Sequence, residues 1–206
     1  MSGLVLVWDM DNTLVGNYFD VTNESTSESL LFNRKALAIL KQAVAAKKRG
    51  VVDAIFMLTN NADKNFINYV QGRINHRLEE QRPVFDYTMD RTHAARPQSD
   101  NPPKRLEDVE YMMRALNKST YNLKNRVFFF DDIPDHEIFS EIPADHYIHI
   151  FPRFELGVID RTNFKPLEVA ISARVGGRRR PKKQTKRTRA KRRRSKKNLT
   201  NIVDDM

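Results

Sequence analysis

VLVWDMDNTLV, residues 5–15, sets apolar strand-forming residues directly against two carboxylates, Asp9 and Asp11, one residue apart. The run LVLVW (4–8) is continuously apolar, as a strand buried on both faces of a parallel sheet requires. Like charges do not gather at the mouth of a buried strand unless an opposite charge neutralises them. The stretch therefore predicts a central parallel strand with a cation beside its tip.

Outward from that strand, apolar runs alternate with helical periodicity. Ala36, Leu37, Leu40, Ala43 and Val44 recur at three- and four-residue steps and predict a helix over 33–49, stopped by Gly50. VDAIFMLT (52–59) reads as a second buried strand. A helix capped by Asn61 or Asp63 is expected through about Arg82, with Phe66, Ile67, Val70, Ile74 and Leu78 on one face. VFDYTM (84–89) reads as a short third strand and Lys104 to Asn117 as a helix; RVFFFDDIPDH (126–136) holds a fourth strand ending in acids, and HYIHIF (146–151) reads as a fifth, after a helical turn over 135–141. Residues 16–32 read as a polar loop or small flap. Such alternation predicts an α/β, Rossmann-like three-layer sandwich on a mainly parallel sheet.

In open α/β sheets, ligands bind beyond the carboxyl ends of the strands. Here those ends offer Asp9 and Asp11, then Thr59, then Asp131 and Asp132, with Lys104 opening the helix before the fourth strand. Three or four carboxylates converging on one spot call for a cation. Hard oxygen ligands without Cys or His nearby favour Mg²⁺. A metal among carboxylates beside Thr and Lys outlines a phosphoryl site: one acid attacks phosphorus, and the other protonates the leaving oxygen and then activates water.

The ordered set Asp9-Met-Asp11-Asn-Thr13-Leu, a strand ending in Thr59, Lys104, and a strand ending in Asp131-Asp132 resembles the four motifs of the haloacid dehalogenase superfamily, over about residues 3–152. The resemblance implies Asp9 as nucleophile, Asp11 as general acid/base, Thr59 as phosphoryl ligand and Lys104 as the cation holding nucleophile and phosphate. It implies Mg²⁺ held by Asp9, by Asp11 through its backbone carbonyl, by Asp131 and by Asp132, with Asp135 a further acid. An acid at position 11 is what the family's phosphatases have and its dehalogenases lack. VFFFDDIPDH also looks like the corresponding strand of the small RNA-polymerase C-terminal-domain phosphatases, although Asp132 stands where they carry Asn. VWDMDNTL is closer to the magnesium-dependent phosphatases. Neither the stretch between Thr13 and Thr59 nor that between Thr59 and Lys104 has room for a large cap domain. An uncapped site suits a macromolecular phosphomonoester, a phosphoprotein first and a polynucleotide end as the alternative. A nucleic-acid-binding protein with a weakly active fold of this kind is a further alternative.

The net charge of +10 hides a division. Arg178, Arg179, Arg180, Lys182, Lys183, Lys186, Arg187, Arg189, Lys191, Arg192, Arg193, Arg194, Lys196 and Lys197 leave 22 basic against 26 acidic residues elsewhere. The expected organisation is a phosphatase domain over 1–173 and a disordered basic tail over 174–206. The tail suits nuclear import or sequence-blind contact with nucleic-acid phosphates, and lacks the aromatic residues that stack on bases. With no cysteine, no signal-peptide pattern and no long apolar run, an intracellular protein is expected, in a nucleus or a viral, nucleic-acid-associated compartment, with no membrane partner. Oligomeric state is not legible.

Other features receive structural readings. Trp8 and the Phe128–Phe130 run are core. His146 and His149 fall on opposite faces of a strand and do not form a metal pair. Asp20, Glu24 and Glu28 are solvated loop charges. Arg91, Arg96 and Arg105 are exposed charges near the expected mouth, and Arg105 competes with Lys104 as the cation entering the site.

Overall fold

Five strands, β1 (Leu4–Trp8), β2 (Val52–Leu58), β3 (Tyr87–Met89), β4 (Val127–Asp131) and β5 (Tyr147–His149), form one sheet in the order β3-β2-β1-β4-β5, and every pairing is parallel. The computed structural model describes residues 2–16, 32–133, 136–151 and 162–176. The expected loop over 16–32, Asp135 and the basic tail fall wholly or mostly outside them. Helices α1 (Arg34–Lys48), α2 (Lys64–Leu78), α3 (Leu106–Ala115), α4 (Ile138–Glu141) and α5 (Lys165–Gly176) complete the element order.

The sheet is a middle layer because β1 is apolar on both faces. Leu4, Leu6 and Trp8 pack on one side with Leu40 of α1, Val70 of α2 and Leu167 of α5. Val5 and Val7 pack on the other with Val109 and Met112 of α3 and Ile138 of α4. Trp8 is fully buried and stacks on Phe130 of β4 at 3.8 Å, as its core reading requires. This is the three-layer α/β sandwich the alternation predicts. No large cap domain occurs among the described residues, and no helix among them is long and apolar enough to cross a membrane.

Several boundaries differ from the sequence reading for local reasons. Asp63, and not Asn61, caps α2, accepting from the backbone N–H groups of Asn65 and Phe66 at 3.0 Å. That helix ends at Leu78, not Arg82, because Glu79 turns left-handed. β3 starts at Tyr87, not residue 84. Asp86 substitutes its carboxylate for a ladder acceptor, taking the Ile55 N–H at 2.9 Å and the Lys47 ammonium at 2.5 Å. Gly50 closes α1 as expected, with φ of 72° that a glycine adopts at no steric cost. α5 was not marked by the sequence pattern. It docks through Phe164 and Leu167, and Arg174 donates to the Ser2 carbonyl.

The amino ends of the central strands are tied by Arg126, which is 4% exposed. Its guanidinium donates to the Gly3 carbonyl at 3.1 Å, the Asp53 carboxylate at 3.0 Å and the Ser119 carbonyl at 2.7 Å. Asp53 in turn accepts from the Gly3 N–H at 2.6 Å, so close that a side chain at position 3 would collide with it. Arg126→Ala is expected to destabilise the protein by about 2–3 kcal/mol, because the buried Gly3 carbonyl and the Asp53 carboxylate lose their donor. Urea denaturation measures this, and a wild-type midpoint would show that water serves those acceptors equally well.

Candidate active site

β1 and β4 are neighbours although the chain forms β2 and β3 between them, so the crevice beyond their carboxyl ends is the switch point of strand order. Asp9 follows the last residue of β1, and Asp131 is the last residue of β4. Their carboxylates are bridged by Lys104, whose Nζ lies 2.7 Å from Asp9 Oδ1 and 2.6 Å from Asp131 Oδ2. All three side chains are buried, at 4%, 2% and 0% exposure for Asp9, Lys104 and Asp131. Asp131 Oδ1 accepts the Ile133 N–H at 2.9 Å, and His136 Nε2 stands 3.5 Å from Asp131 Oδ2.

After Asp9 the chain must turn back over the strand end. Asn12 does this with φ of 58°, a left-handed conformation that Asn tolerates better than most residues. The Leu14 and Val15 N–H groups close the turn on the Met10 carbonyl. The turn buries Thr13, whose hydroxyl faces Asp9 Oδ2 at 3.5 Å, and sends Asp11 toward β2. There Asp11 accepts from the Thr59 hydroxyl at 3.3 Å and from the Asn61 amide at 3.3 Å, while the Asn61 N–H donates to the Thr59 hydroxyl at 3.0 Å. The structure thus brings together Asp9, Asp11, Thr59, Lys104, Asp131 and Asp132.

Charge is the unbalanced quantity here. Burial holds the Asp9 carboxyl well above the ordinary range; Lys104 opposes this, and Asp131 and Asp11 reinforce it. Burial likewise raises Asp11, against the hydrogen bonds from Asn61 and Thr59. Asp132 is pushed up to about 6 by burial and the neighbouring Asp131, with Lys104 and a hydrogen bond from Asn12 working against the shift. For Lys104, burial favours the neutral amine, but Asp9 and Asp131 outweigh it and keep the ammonium. One ammonium is too little positive charge for four clustered carboxylates.

Asp9, Asp131 and Asp132 each offer an oxygen within 4.8 Å of the others, a spacing one small cation can span. Oxygen-only donors and a deficit of positive charge fit Mg²⁺.

Three residues depart from their sequence readings. Arg105 does not compete with Lys104: it turns outward and pairs with Glu137 at 2.5 Å. Arg96 is buried, at 3% exposure, with its guanidinium against the end of β2. Asn61 serves the site instead of a helix cap. Arg91 donates to the Asp100 carbonyl, away from these acids. His146 Nδ1 lies 3.0 Å from the Val127 carbonyl and His149 Nε2 2.8 Å from the Asp132 carbonyl, consistent with structural roles. His136 was not singled out by the sequence, since nothing in IPDH distinguishes it from a loop histidine.

No family model and no curated relative matches the chain. Among solved structures, an uncharacterized protein from Listeria monocytogenes serotype 4b is 15% identical over 67% of this chain and 72% of that one, with a TM-score of 0.41. The fission yeast RNA polymerase II CTD phosphatase Fcp1, bound to beryllium fluoride, is 18% identical over 85% of this chain, with a TM-score of 0.41. The match spans 50% of the yeast chain. Similarity at this level leaves the reading of the site to its own geometry.

A carboxyl raised on folding contributes stability at low pH and loses it as pH rises through its folded value. Asp132 therefore weakens the metal-free protein as pH climbs through about 6. In chelator at pH 8, Asp132→Asn is expected to raise the melting temperature by roughly 2–6 °C, with the gain shrinking toward pH 4. Added Mg²⁺ should stabilise the wild type more than this variant. A variant that melts lower than wild type in chelator at pH 8 would contradict the charge imbalance.

Proposed function

We propose that this protein is a Mg²⁺-dependent phosphatase of the haloacid dehalogenase type, working through an aspartyl-phosphate on Asp9. The observation that carries this reading is the Lys104 bridge between Asp9 and Asp131 at the switch point, with Asp11 held over it by Thr59 and Asn61. Asp9, Asp131 and Asp132 would hold the ion, which supplies positive charge against the acids and the phosphate oxygens.

Each residue then has a defined task. Lys104 fixes Asp9 Oδ1, which orients the carboxylate; an Asp9 oxygen attacks phosphorus, and the ester P–O bond breaks. Asp11 gives its proton to the departing oxygen. Its raised pKa suits that role, because burial favours the protonated form. Thr59 and Lys104 hold phosphoryl oxygens as charge develops on them. Water then attacks the phosphorus of the acyl phosphate, Asp11 takes its proton, and Asp9 leaves as the free carboxylate.

A macromolecular phosphomonoester, a phosphoprotein before a polynucleotide end, is the proposed substrate class. The exposed apolar side chains of Ile133 and Phe139 favour a rim that meets a protein surface. The Lys- and Arg-rich run over 178–197 favours the second reading, in which polynucleotides are drawn in by their phosphates. Nuclear import is a compatible use of the same tail.

Asp9→Asn is expected to lower the turnover of an aryl phosphate with Mg²⁺ by about 10⁴-fold or more, and Lys104→Met by about 10²–10³-fold. Steady-state kinetics measure both, and an Asp9→Asn variant with wild-type turnover would end the proposal. Phosphopeptides and phosphorylated oligonucleotides assayed side by side discriminate the substrate classes. For the tail, oligonucleotide affinity of the full chain should fall steeply between about 50 and 200 mM salt, and truncation after Gly176 should remove that dependence. Equal binding by the truncated protein would exclude a role for the tail.

A further inference from the structure

Arg96 is a buried cation that the reaction described above does not use, and its contacts converge on the residues that do the chemistry. Its guanidinium donates Nη1 to the Thr59 carbonyl at 3.0 Å and Nη2 to the Asn60 side-chain oxygen at 2.9 Å. The same Nη2 meets the Pro102 carbonyl at 3.1 Å and the Pro103 carbonyl at 3.4 Å. Nε lies 3.7 Å from Asp108 Oδ2, and that oxygen accepts the Arg105 N–H at 3.0 Å at the start of α3. One planar group therefore joins the end of β2, the approach to Lys104 and the first turn of the helix that follows it.

The approach needs such a donor. Pro102 and Pro103 have no N–H and cannot enter a ladder as donors, so the segment before Lys104 cannot be held by ordinary pairing with β2. Buried carbonyls must still be satisfied, and a guanidinium offers several donors in one rigid fork. Lysine would bring the charge without the fork. On the far side, the Lys104 carbonyl accepts the Ile138 N–H at 3.0 Å, so the lysine is clasped between the Arg96 linkage and α4.

We propose that Arg96 is a positioning residue that sets the spacing between the Thr59 hydroxyl and the Lys104 ammonium, so that both reach the same phosphoryl group. The proposal rests on the phosphatase reading for its kinetic consequence and on geometry alone for its structural one. A displacement of about 1 Å at a reacting group can cost on the order of 10²-fold in rate. Holding Thr59 and Lys104 to one spacing is thus a kinetic requirement, separate from the stability the contacts provide.

The test uses full-length Arg96→Lys and Arg96→Ala. Aryl phosphate kinetics are combined with amide hydrogen exchange over residues 57–61 and 102–108, with wild type alongside. For folded Arg96→Lys, kcat is expected to fall about 10–100-fold while KM changes less than about threefold. Exchange should quicken in those two segments and not across the sheet. Millimolar guanidinium should restore part of the lost kcat in Arg96→Ala. Unchanged kcat per folded molecule, or exchange that rises evenly along the chain, overturns the proposal. If the wild type fails to hydrolyse any phosphate tested, the phosphatase reading falls, and exchange alone decides: unaltered protection in both segments of Arg96→Lys then removes the linkage as well. Should Arg96→Ala fail to fold, Arg96→Lys carries the decision.

Discussion

The ion pairs of Lys104 with Asp9 and Asp131 are what the rest of the site depends on. Three buried charges within hydrogen-bonding distance are affordable in a sheet interior only when each is paired. The pairing here is incomplete, because Asp11 and Asp132 add charge that one ammonium does not cancel. The chain has put more carboxylates at one switch point than its own cations neutralise, and three of them lie close enough for one small cation to span.

The fold provides that concentration at one end of the sheet and a different solution at the other. β1 is flanked by β2 and β4, so three parallel strands deliver their carboxyl ends to the same place, and their side chains there are polar. At the opposite end, Arg126 pairs with Asp53 and ties the strand starts to the loop before β4. Both ends hold buried charge, with opposite outcomes. At the Arg126 end the acid has a cation of its own, and both terminal nitrogens of the guanidinium find acceptors within the protein. At the Asp9 end a surplus of acid remains.

How far this was legible follows from the range of each interaction. β1, β2 and β4 were readable because burial on both faces imposes a continuous apolar run, and each run breaks at the residue that faces the site. The motif acids were readable because strand ends fix their position to within a residue. Lys104 was harder to place, since a lysine at the start of a predicted helix could point anywhere; what aims it inward is the pair of acids on distant strands. Arg96 was misread as exposed because its acceptors are backbone carbonyls of Thr59, Pro102 and Pro103, and carbonyls carry no sequence signature. Asn61 shared the cap reading with Asp63, which takes that role; its bond to Asp11 left no signal, because the partner lies on the loop after another strand. α5 was missed because its apolar residues do not keep to one face, Val169 and Val175 being exposed while Leu167 is buried.

Two acids so close in sequence nevertheless come to sit in different surroundings. Asp9 ends up in direct contact with the ammonium, and the opposing effects of burial and Lys104 leave its ionisation sensitive to any further positive charge nearby. Asp11 has no such contact; its neighbours are a hydroxyl and an amide, and burial leaves it inclined to keep a proton. On the phosphatase reading, an arriving cation would convert the first into a nucleophile while leaving the second able to act as an acid. Burial raises both carboxyls, so what separates them is contact: an ammonium for Asp9, a hydroxyl and an amide for Asp11. Continued by three residues, the register that sets Trp8 beside Met57 brings Asp11 level with Asn60, between the two residues that bond it.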